Sequence, residues 1–245
     1  MKNERIINEF NRIRALGFIK SHRKHNTGIG KTFEDNLGII ENNQKDPDFE
    51  GFEVKTQRFL ANSKITLFTK SPTSPEYANQ LIREKYGELD KIDSVKIIHT
   101  SFLGDRYNTY LNKLAFKLKV DKRKKKVFLI IKDLSTDNII ERNIYYTFND
   151  IIDSVQKLNQ LIVVTAETEI RRKIEYFHYT KAVVFIGFNF QKFLNMIEKG
   201  RIQYDIRIGA YKSGKYKGRP HDHGSGFRID RNYLAEVFEE VFEID

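Results

Sequence analysis

The chain is 245 residues long, and hydrophobic and charged residues make up 40% and 31% of it, a balance that fits a folded globular protein better than a disordered or membrane-embedded one. It contains no cysteine, which excludes a disulfide framework and a zinc–thiolate centre. Any metal ion would therefore need oxygen or imidazole ligands, and a hard cation such as Mg²⁺ is favoured. The 43 Lys and Arg residues against 33 Asp and Glu give a formal charge of +10, so polyanions are the expected partners.

Neither export nor membrane insertion is predicted. The longest apolar runs fall far short of the roughly 20 residues that a membrane-spanning helix needs. The amino-terminal sequence MKNERIINEF lacks the apolar segment and the cleavage site of a secretory signal. We therefore expect a cytoplasmic protein without membrane contact.

The amino-terminal segment predicts two helices separated by a loop. Apolar residues recur at helical spacing over residues 4–18, and Gly17 marks the end of this first helix. Residues 22–30 are polar and contain glycine, which is typical of a loop. Thr32 is then predicted to cap a second helix, which would carry Glu34 in its first turn.

A half-buried strand is predicted over residues 49–56, where apolar and charged side chains alternate. Because alternate residues of a strand point to the same side, Glu53 and Lys55 are expected to share one face.

The rest of the chain predicts a mixed α/β core without an internal repeat or a clear domain boundary. Strands are predicted over residues 65–68, 114–120, 127–131, 161–165, 182–188 and 205–211, and helices over residues 76–86, 151–158 and a final segment that contains Leu234, Val237 and Phe238. The basic run at residues 122–126 is interpreted as a solvated hairpin turn rather than as a specific reader of nucleic acid.

A candidate active site combines Asp48, which follows a proline, with Glu53 and Lys55. Two carboxylates that converge from a turn and a strand can bind a divalent cation, and a lysine on the same face can hold water or stabilise charge on a phosphate. Glu34 could add a further carboxylate. The alternative is an ordinary surface salt bridge, but the Pro-Asp pair, the upstream glutamate and the basic composition favour the catalytic interpretation.

Five blocks of sequence carry a resemblance to a known family. In order along the chain they are RKHNTGIGKTFED, PDFEGFEVKT, TLFTKSPTSP, DIRIGAYKSGKYKG and HDHGSGFRI. They resemble restriction endonucleases of the MvaI/BcnI type, relatives of the MutH mismatch-repair nickase within the PD-(D/E)xK superfamily. The similarity runs in blocks from about residue 22 to residue 229, and the middle third matches weakly.

The resemblance implies a restriction-endonuclease-like α/β fold, in which two lobes surround a DNA cleft. The catalytic lobe would span approximately residues 1–95, and residues 96–245 would complete the sheet and form the DNA-recognition lobe. It also implies a monomer that cuts short double-stranded sites of the CC-N-GG kind, such as CCWGG, one strand after the other. The expected cofactor is Mg²⁺, which Mn²⁺ can replace, and the expected setting is a prokaryotic cytoplasm with a cognate DNA methyltransferase.

The resemblance also implies roles for individual acidic residues and one lysine. Asp48 and Glu53 become the metal ligands, Lys55 the catalytic lysine and Glu34 the helix acid near the site. Glu50 is an alternative acid inside the same motif, but both the resemblance and the phase of the strand favour Glu53.

The carboxyl-terminal blocks are predicted to read the DNA sequence. Arginine can donate two hydrogen bonds to guanine, and aspartate can accept one from cytosine. The candidate base-reading residues are Asp205, Arg207, His221, His223 and Arg228. The candidate phosphate contacts, which position the duplex without specifying its sequence, are Lys212, Lys215, Lys217 and Arg219.

Two alternatives remain for the pair of histidines at His221 and His223, because a His-x-His pair on a strand places both rings on one face. One is a metal site and the other a nonspecific phosphate clamp. For the whole protein, the alternatives are a MutH-like nickase that cuts one strand and a noncatalytic DNA-binding protein of the same fold.

Overall fold

The computed structural model describes residues 3–39, 46–60, 63–92 and 94–244. Its helices and strands, in chain order, are α1 (Glu4–Ala15), β1 (Ile19–Lys20), α2 (Gly28–Asn36), β2 (Glu53–Arg58), β3 (Ile65–Thr69), α3 (Ala78–Tyr86), β4 (Glu88–Leu89), β5 (Lys96–Phe102), β6 (Asn108–Tyr110), β7 (Leu114–Asp121), β8 (Lys126–Asp133), β9 (Ile139–Thr147), α4 (Phe148–Val155), β10 (Gln160–Arg171), β11 (Ile174–Ile186), α5 (Phe190–Glu198), β12 (Ile202–Ala210), β13 (Pro220–Asp222), β14 (Gly226–Ile229) and β15 (Glu240–Ile244). Two 3₁₀ helices, Gln156–Asn159 and Arg231–Val237, complete the set. The predicted mixed α/β fold is confirmed.

The chain forms two compact units, each assembled from separate segments. The first contains Met1–Ser63, Gln156–Asn189 and Phe238–Asp245, and the second contains Lys64–Val155 and Phe190–Val237. None of the helices in the described residues is long and apolar enough to span a membrane.

The first unit is built on a sheet with the order β1-β11-β10-β2, and β15 also pairs with β11. Strand β2 runs parallel to β10, with Glu53 opposite Leu161 and Lys55 opposite Val163. The predicted strands at 161–165 and 182–188 belong to β10 and β11, which form one long antiparallel hairpin. Their near-continuous apolar sequences match a sheet that is buried on both faces.

Helix α1 was predicted from its apolar spacing, and the structure confirms it. Ile6, Phe10 and Ile13 are buried in the core of the first unit, and Gly17 follows the helix with φ of +68°. A glycine adopts this left-handed conformation without the steric penalty that other residues meet.

Helix α2 begins at Gly28, so the prediction of a loop to residue 30 and a helix capped by Thr32 is wrong. Ile29 and Phe33, one helical turn apart, are both buried, and their packing outweighs the low helix propensity of the glycines. Thr32 lies inside the helix, where its Oγ1 accepts a hydrogen bond from the His22 N–H at 2.9 Å. Glu34 consequently lies in the second half of α2 rather than in its first turn.

The predicted strand at residues 49–56 starts four residues late, because residues 49–52 form a tight turn. The Phe49 N–H donates to the Phe52 carbonyl at 3.0 Å, and the Phe52 N–H donates back to the Phe49 carbonyl at 2.7 Å. Glu50 and Gly51 both have positive φ, as the central positions of such a hairpin turn require. The turn places residue 48 beside the start of β2.

The second unit contains two sheets. One has the order β3-β14-β12-β5-β4, with β13 also paired to β12, and the other is the meander β6-β7-β8-β9. The predicted strands at 65–68, 114–120, 127–131 and 205–211 are confirmed as β3, β7, β8 and β12, and the basic run at 122–126 is largely the exposed turn between β7 and β8. Tyr146, Tyr204 and Phe227 pack against one another in the core, with ring centroids 5.1 to 5.6 Å apart.

The remaining helical predictions are confirmed only in part. The predicted helix at 76–86 is confirmed as α3, whereas the one at 151–158 is α4 followed by the 3₁₀ helix Gln156–Asn159. The predicted final helix is also a 3₁₀ helix, after which β15 joins the first unit's sheet. Leu234 and Val237 are buried nonetheless. Their apolar spacing therefore predicted the burial of this segment correctly, but the type of helix wrongly.

Candidate functional site

The first candidate centre lies in the hairpin between Asp48 and Lys55. Asp48 Oδ2 accepts a hydrogen bond from the backbone N–H of Val54 at 2.9 Å, which fixes this carboxylate against the start of β2. Partial desolvation raises the pKa of Asp48, although the residue is still exposed to solvent, and the charge of Glu53 raises the pKa further. The Val54 N–H and the charges of Lys55 and Lys157 act in the opposite direction. Asp48 and Glu53 are therefore close enough to repel each other electrostatically.

Glu53 is only 1% exposed. Its Oε1 contacts Lys55 Nζ and also lies 2.8 Å from Lys157 Nζ. Its Oε2 is buried and has no hydrogen-bond partner in the described part of the chain. A buried carboxylate oxygen without a partner is costly unless a cation or another donor satisfies it.

The two acids fit a hard divalent cation. Mg²⁺ in proteins is commonly bound through one or two carboxylates, with waters and phosphate oxygens as the other ligands. Asp48 and Glu53 supply such a pair. A bound cation would satisfy Oε2 of Glu53, which has no partner among the described residues. Among the described residues, no group of three or more His, Asp or Glu side chains could hold a metal ion by itself.

Glu34 lies beside the same strand but near its carboxyl-terminal half. A Cβ atom built on Gly30 would lie 3.4 Å from Thr56 Oγ1 and 3.6 Å from Glu34 Oε1. Gly30 thus allows α2 to approach β2 at the level of Thr56. The role of Glu34 as a further acid of the site stays a prediction.

Lys157 was missed by the sequence analysis. It lies in the 3₁₀ helix Gln156–Asn159, more than 100 residues after the motif that it contacts. Nothing in the residues around this single lysine, which precedes an apolar strand, indicates an ion pair with Glu53. Only the parallel pairing of β10 with β2 brings the two residues together.

The second candidate centre lies on the β12 sheet of the second unit. Asp205 Oδ1 accepts hydrogen bonds from Ser101 Oγ and Gln203 Nε2, both at 2.6 Å. Arg228 Nε lies 3.5 Å from Asp205 Oδ2 and is buried without a hydrogen bond within the described residues. Burial lowers the pKa of Arg228, the charge of Arg207 lowers it further, and Asp205 opposes both. This arginine is held beside a carboxylate with part of its hydrogen-bonding capacity unused.

A histidine cluster surrounds Gly209 on the same sheet. The rings of His221 and His223 lie 4.4 Å apart between centroids, and His99 stacks 6.2 Å from His223. His99, which the sequence analysis missed, pairs with Arg207 across β5 and β12. A Cβ atom on Gly209 would lie 2.9 Å from His223 Nε2 and 3.4 Å from His99 Nε2, so only glycine leaves room for both rings.

The charge state of this cluster follows from its surroundings. Partial desolvation lowers the pKa of His99 and of His223, and Arg207 lowers both further; His221 and His99 also lower that of His223. Both rings are therefore neutral at pH 7, and a neutral imidazole offers one donor and one acceptor. Such a ring can donate one hydrogen bond and accept another.

Asp222, between the two histidines, has a structural role. Its Oδ1 accepts hydrogen bonds from the backbone N–H groups of Gly224 and Ser225, at 2.9 and 2.7 Å, and from Ser225 Oγ at 2.8 Å. These bonds close the turn between β13 and β14 and hold the flanking histidines in place.

The predicted phosphate contacts lie in the loop between β12 and β13. All four side chains, Lys212, Lys215, Lys217 and Arg219, belong to exposed residues. Lys215 and Arg219 lie over the ring of Tyr216, at 5.6 and 5.7 Å from its centroid, and Lys212 forms an ion pair with Asp90 at 2.9 Å.

Comparison with known proteins finds one matching family. The family model described as the MvaI/BcnI restriction endonuclease family matches residues 7–238. The solved complex of the restriction endonuclease MvaI with its cognate DNA substrate is similar, with a TM-score of 0.91 and 38% identity over 98% of this chain and 97% of that one. MvaI in the absence of DNA matches with a TM-score of 0.62 and 37% identity over 98% and 96%. Among curated proteins there is no match.

Proposed function

Because the chain belongs to the MvaI/BcnI restriction endonuclease family and is a type II site-specific deoxyribonuclease, we propose that it uses Mg²⁺ to cut double-stranded DNA at a short site of the CC-N-GG kind, such as CCWGG. The observation that carries this proposal is the buried Glu53 carboxylate, whose Oε2 lacks a partner in the described residues while Asp48 and Lys55 lie beside it.

Asp48 and Glu53 would hold the divalent cation. When bound, such an ion polarises the scissile phosphate and lowers the pKa of an attacking water. The backbone N–H of Val54 keeps Asp48 oriented at the start of β2. Lys55, on the same face as Glu53, orients the attacking water or donates to a phosphate oxygen as negative charge develops there. Mn²⁺ is expected to replace Mg²⁺, since it accepts the same oxygen ligands.

The β12 sheet would read the bases. Arg207 and Arg228 are suited to guanine O6 and N7, and Asp205 is suited to the N4 amino group of cytosine. A G·C-rich target needs these donors and acceptors. The imidazoles of His221 and His223 can each offer a donor or an acceptor to a base edge. Lys212, Lys215, Lys217 and Arg219 would contact phosphates on the exposed loop.

The protein would act as a monomer that cuts one strand and then rebinds to cut the other. The sequence contains one Asp48–Glu53–Lys55 constellation and no internal repeat, so one chain has chemistry for one strand at a time. As part of a restriction system in a prokaryotic cytoplasm, it would act together with a DNA methyltransferase that protects the same site.

Digestion of phage DNA, followed by sequencing of the fragment ends, tests this proposal. With Mg²⁺ or Mn²⁺ we expect fragments that end within one short motif, and with EDTA we expect intact DNA. Cutting of one strand only would favour a MutH-like nickase. Sequence-specific binding without cutting under any of these ions would favour a noncatalytic DNA-binding protein.

A further inference from the structure

Two ammonium groups meet one oxygen of Glu53. Lys55 Nζ and Lys157 Nζ both contact Oε1, the second at 2.8 Å, whereas Oε2 has no partner within the described residues. Two carboxylates, Asp48 and Glu53, lie near these two lysines, yet both ammonium groups contact the same oxygen of Glu53, and this shared contact requires an explanation.

Lys157 is held by rigid neighbours. It precedes β10, whose Leu161 pairs with Glu53 on the parallel strand β2. Leu158, the next residue, is fully buried, and the Asn159 carbonyl accepts a hydrogen bond from the Gly187 N–H at 2.8 Å. The backbone that directly follows Lys157 is thus fixed, which preorganises the lysine toward Glu53.

Lys55 has a second task in the proposed reaction, because it must reach a water or a phosphate oxygen. If Lys55 were the only partner of Glu53, this move would strip a buried carboxylate of its hydrogen-bonded cation, which is strongly unfavourable. Lys157 removes that conflict, since it continues to satisfy Oε1 when Lys55 leaves.

We propose that Lys157 is a positioning residue that holds Oε1 of Glu53 and thereby frees Lys55 for the reaction. The inference rests on the proposed nuclease function. Lys157 then affects the rate of cleavage only through Lys55, and this dependence can be measured.

The experiment compares Lys157→Met, Lys55→Met and the double variant. The rate of DNA cleavage is measured with enzyme in excess over a plasmid that the wild type cuts, and Mn²⁺ binding to the free protein is measured by electron paramagnetic resonance. Lys157→Met should slow cleavage by about tenfold or more, as loss of a residue that supports an active-site group from the outer shell typically does. Adding Lys157→Met to Lys55→Met should cause no further loss, because the two residues act as one unit.

Three further results are expected. Lys157→Arg keeps the charge and should recover most of the rate. Mn²⁺ should bind Lys157→Met at least as tightly as the wild type, because one positive charge near the acids is gone. Lys181→Met, at an exposed position of β11 in the same unit, is the matched control and should cut like the wild type.

Several outcomes would overturn the inference. If Lys157→Met cuts DNA at the wild-type rate, or if it slows the Lys55→Met variant as much as it slows the wild type, the dependence on Lys55 is contradicted. If Lys157→Met instead loses Mn²⁺ binding and cleavage together, Lys157 only supports Glu53. If the methionine variant does not fold, Lys157→Gln supports the same comparison. A wild type that fails to cut DNA with any divalent ion would instead refute the proposed function.

Discussion

Arg228 and Asp205 face each other from adjacent strands, with Arg228 Nε 3.5 Å from Asp205 Oδ2. The guanidinium is partly buried, and its Nε has no hydrogen bond in the described chain, so its orientation is set by the carboxylate and by the sheet. A preoriented arginine of this kind suits the bidentate recognition of guanine.

Arg228→Ala should therefore reduce discrimination at one base pair by about 1–3 kcal/mol. Lys215→Ala, on the exposed loop, should weaken binding evenly across sequences. Competition binding with single-base variants of the cognate duplex measures both effects. Equal losses on cognate and noncognate DNA for Arg228→Ala would assign this arginine to the phosphate backbone instead.

Gly209→Ala should disturb recognition while leaving the fold intact. The added Cβ atom would lie 2.9 Å from His223 Nε2, the far end of a side chain that can rotate away. We expect specific binding to weaken by about tenfold, the equivalent of roughly 1.4 kcal/mol, with little change in melting temperature. The binding titration and a thermal melt test this, and unchanged affinity would show that the His223 ring position is not used in binding.

Asp150 should contribute stability that depends on pH. Hydrogen bonds from Thr147 and Thr73, and an ion pair with Lys70, lower the pKa of Asp150 to about 2. The unfolded-state pKa is about 3.9, so the contribution is present above about pH 4 and is lost as the pH falls toward 2.

Asp150→Asn should lower the melting temperature at pH 7 by about 2–4 °C, because the hydrogen bonds that Asp150 accepts from Thr147 and Thr73 contribute roughly 1 kcal/mol in a chain of this size. The difference from the wild type should shrink between pH 4 and pH 2. Asp153→Asn, on the exposed face of the same helix, is the control. A difference that persists unchanged at pH 2 would mean that the charge of Asp150 is not its source.

Sequential cutting predicts a visible intermediate. On supercoiled plasmid with one site, open-circle DNA should accumulate before linear DNA, and the rate should stay first order in enzyme at limiting concentration. Direct conversion to linear DNA, together with a dimeric mass in solution, would favour two subunits that cut both strands together.

Local patterns predicted the parts of the molecule that depend on neighbours in sequence. The alternation around Glu53 and Lys55 gave their shared face correctly, and the contact between them confirms it. The apolar spacing of α1 gave its buried side. The family was predicted from ordered blocks, each of which is local.

The features that the sequence did not predict depend on packing between residues far apart in the chain. Lys157 and His99 join their sites only through strand pairing, and neither lies in a motif. The start of α2 was misplaced because the burial of Ile29 and Phe33 overrode glycine propensity. The chain passes back and forth between the two units, but no stretch with the composition of a linker marks these crossings. Each segment has the composition of a globular domain, so the division into units was not predicted.

The comparison of Glu53→Gln with Glu50→Gln tests the central claim most directly. Both changes remove one carboxylate charge from the same hairpin and preserve side-chain size, but Glu53 is buried beside Asp48 and Lys55, whereas Glu50 lies in the exposed turn and contacts Arg5. With Mg²⁺ and cognate duplex, Glu53→Gln should slow cleavage by on the order of 10²-fold or more and still bind DNA specifically, while Glu50→Gln should cut at close to the wild-type rate. Wild-type cleavage by Glu53→Gln, or loss of cleavage in Glu50→Gln alone, would contradict the assigned site.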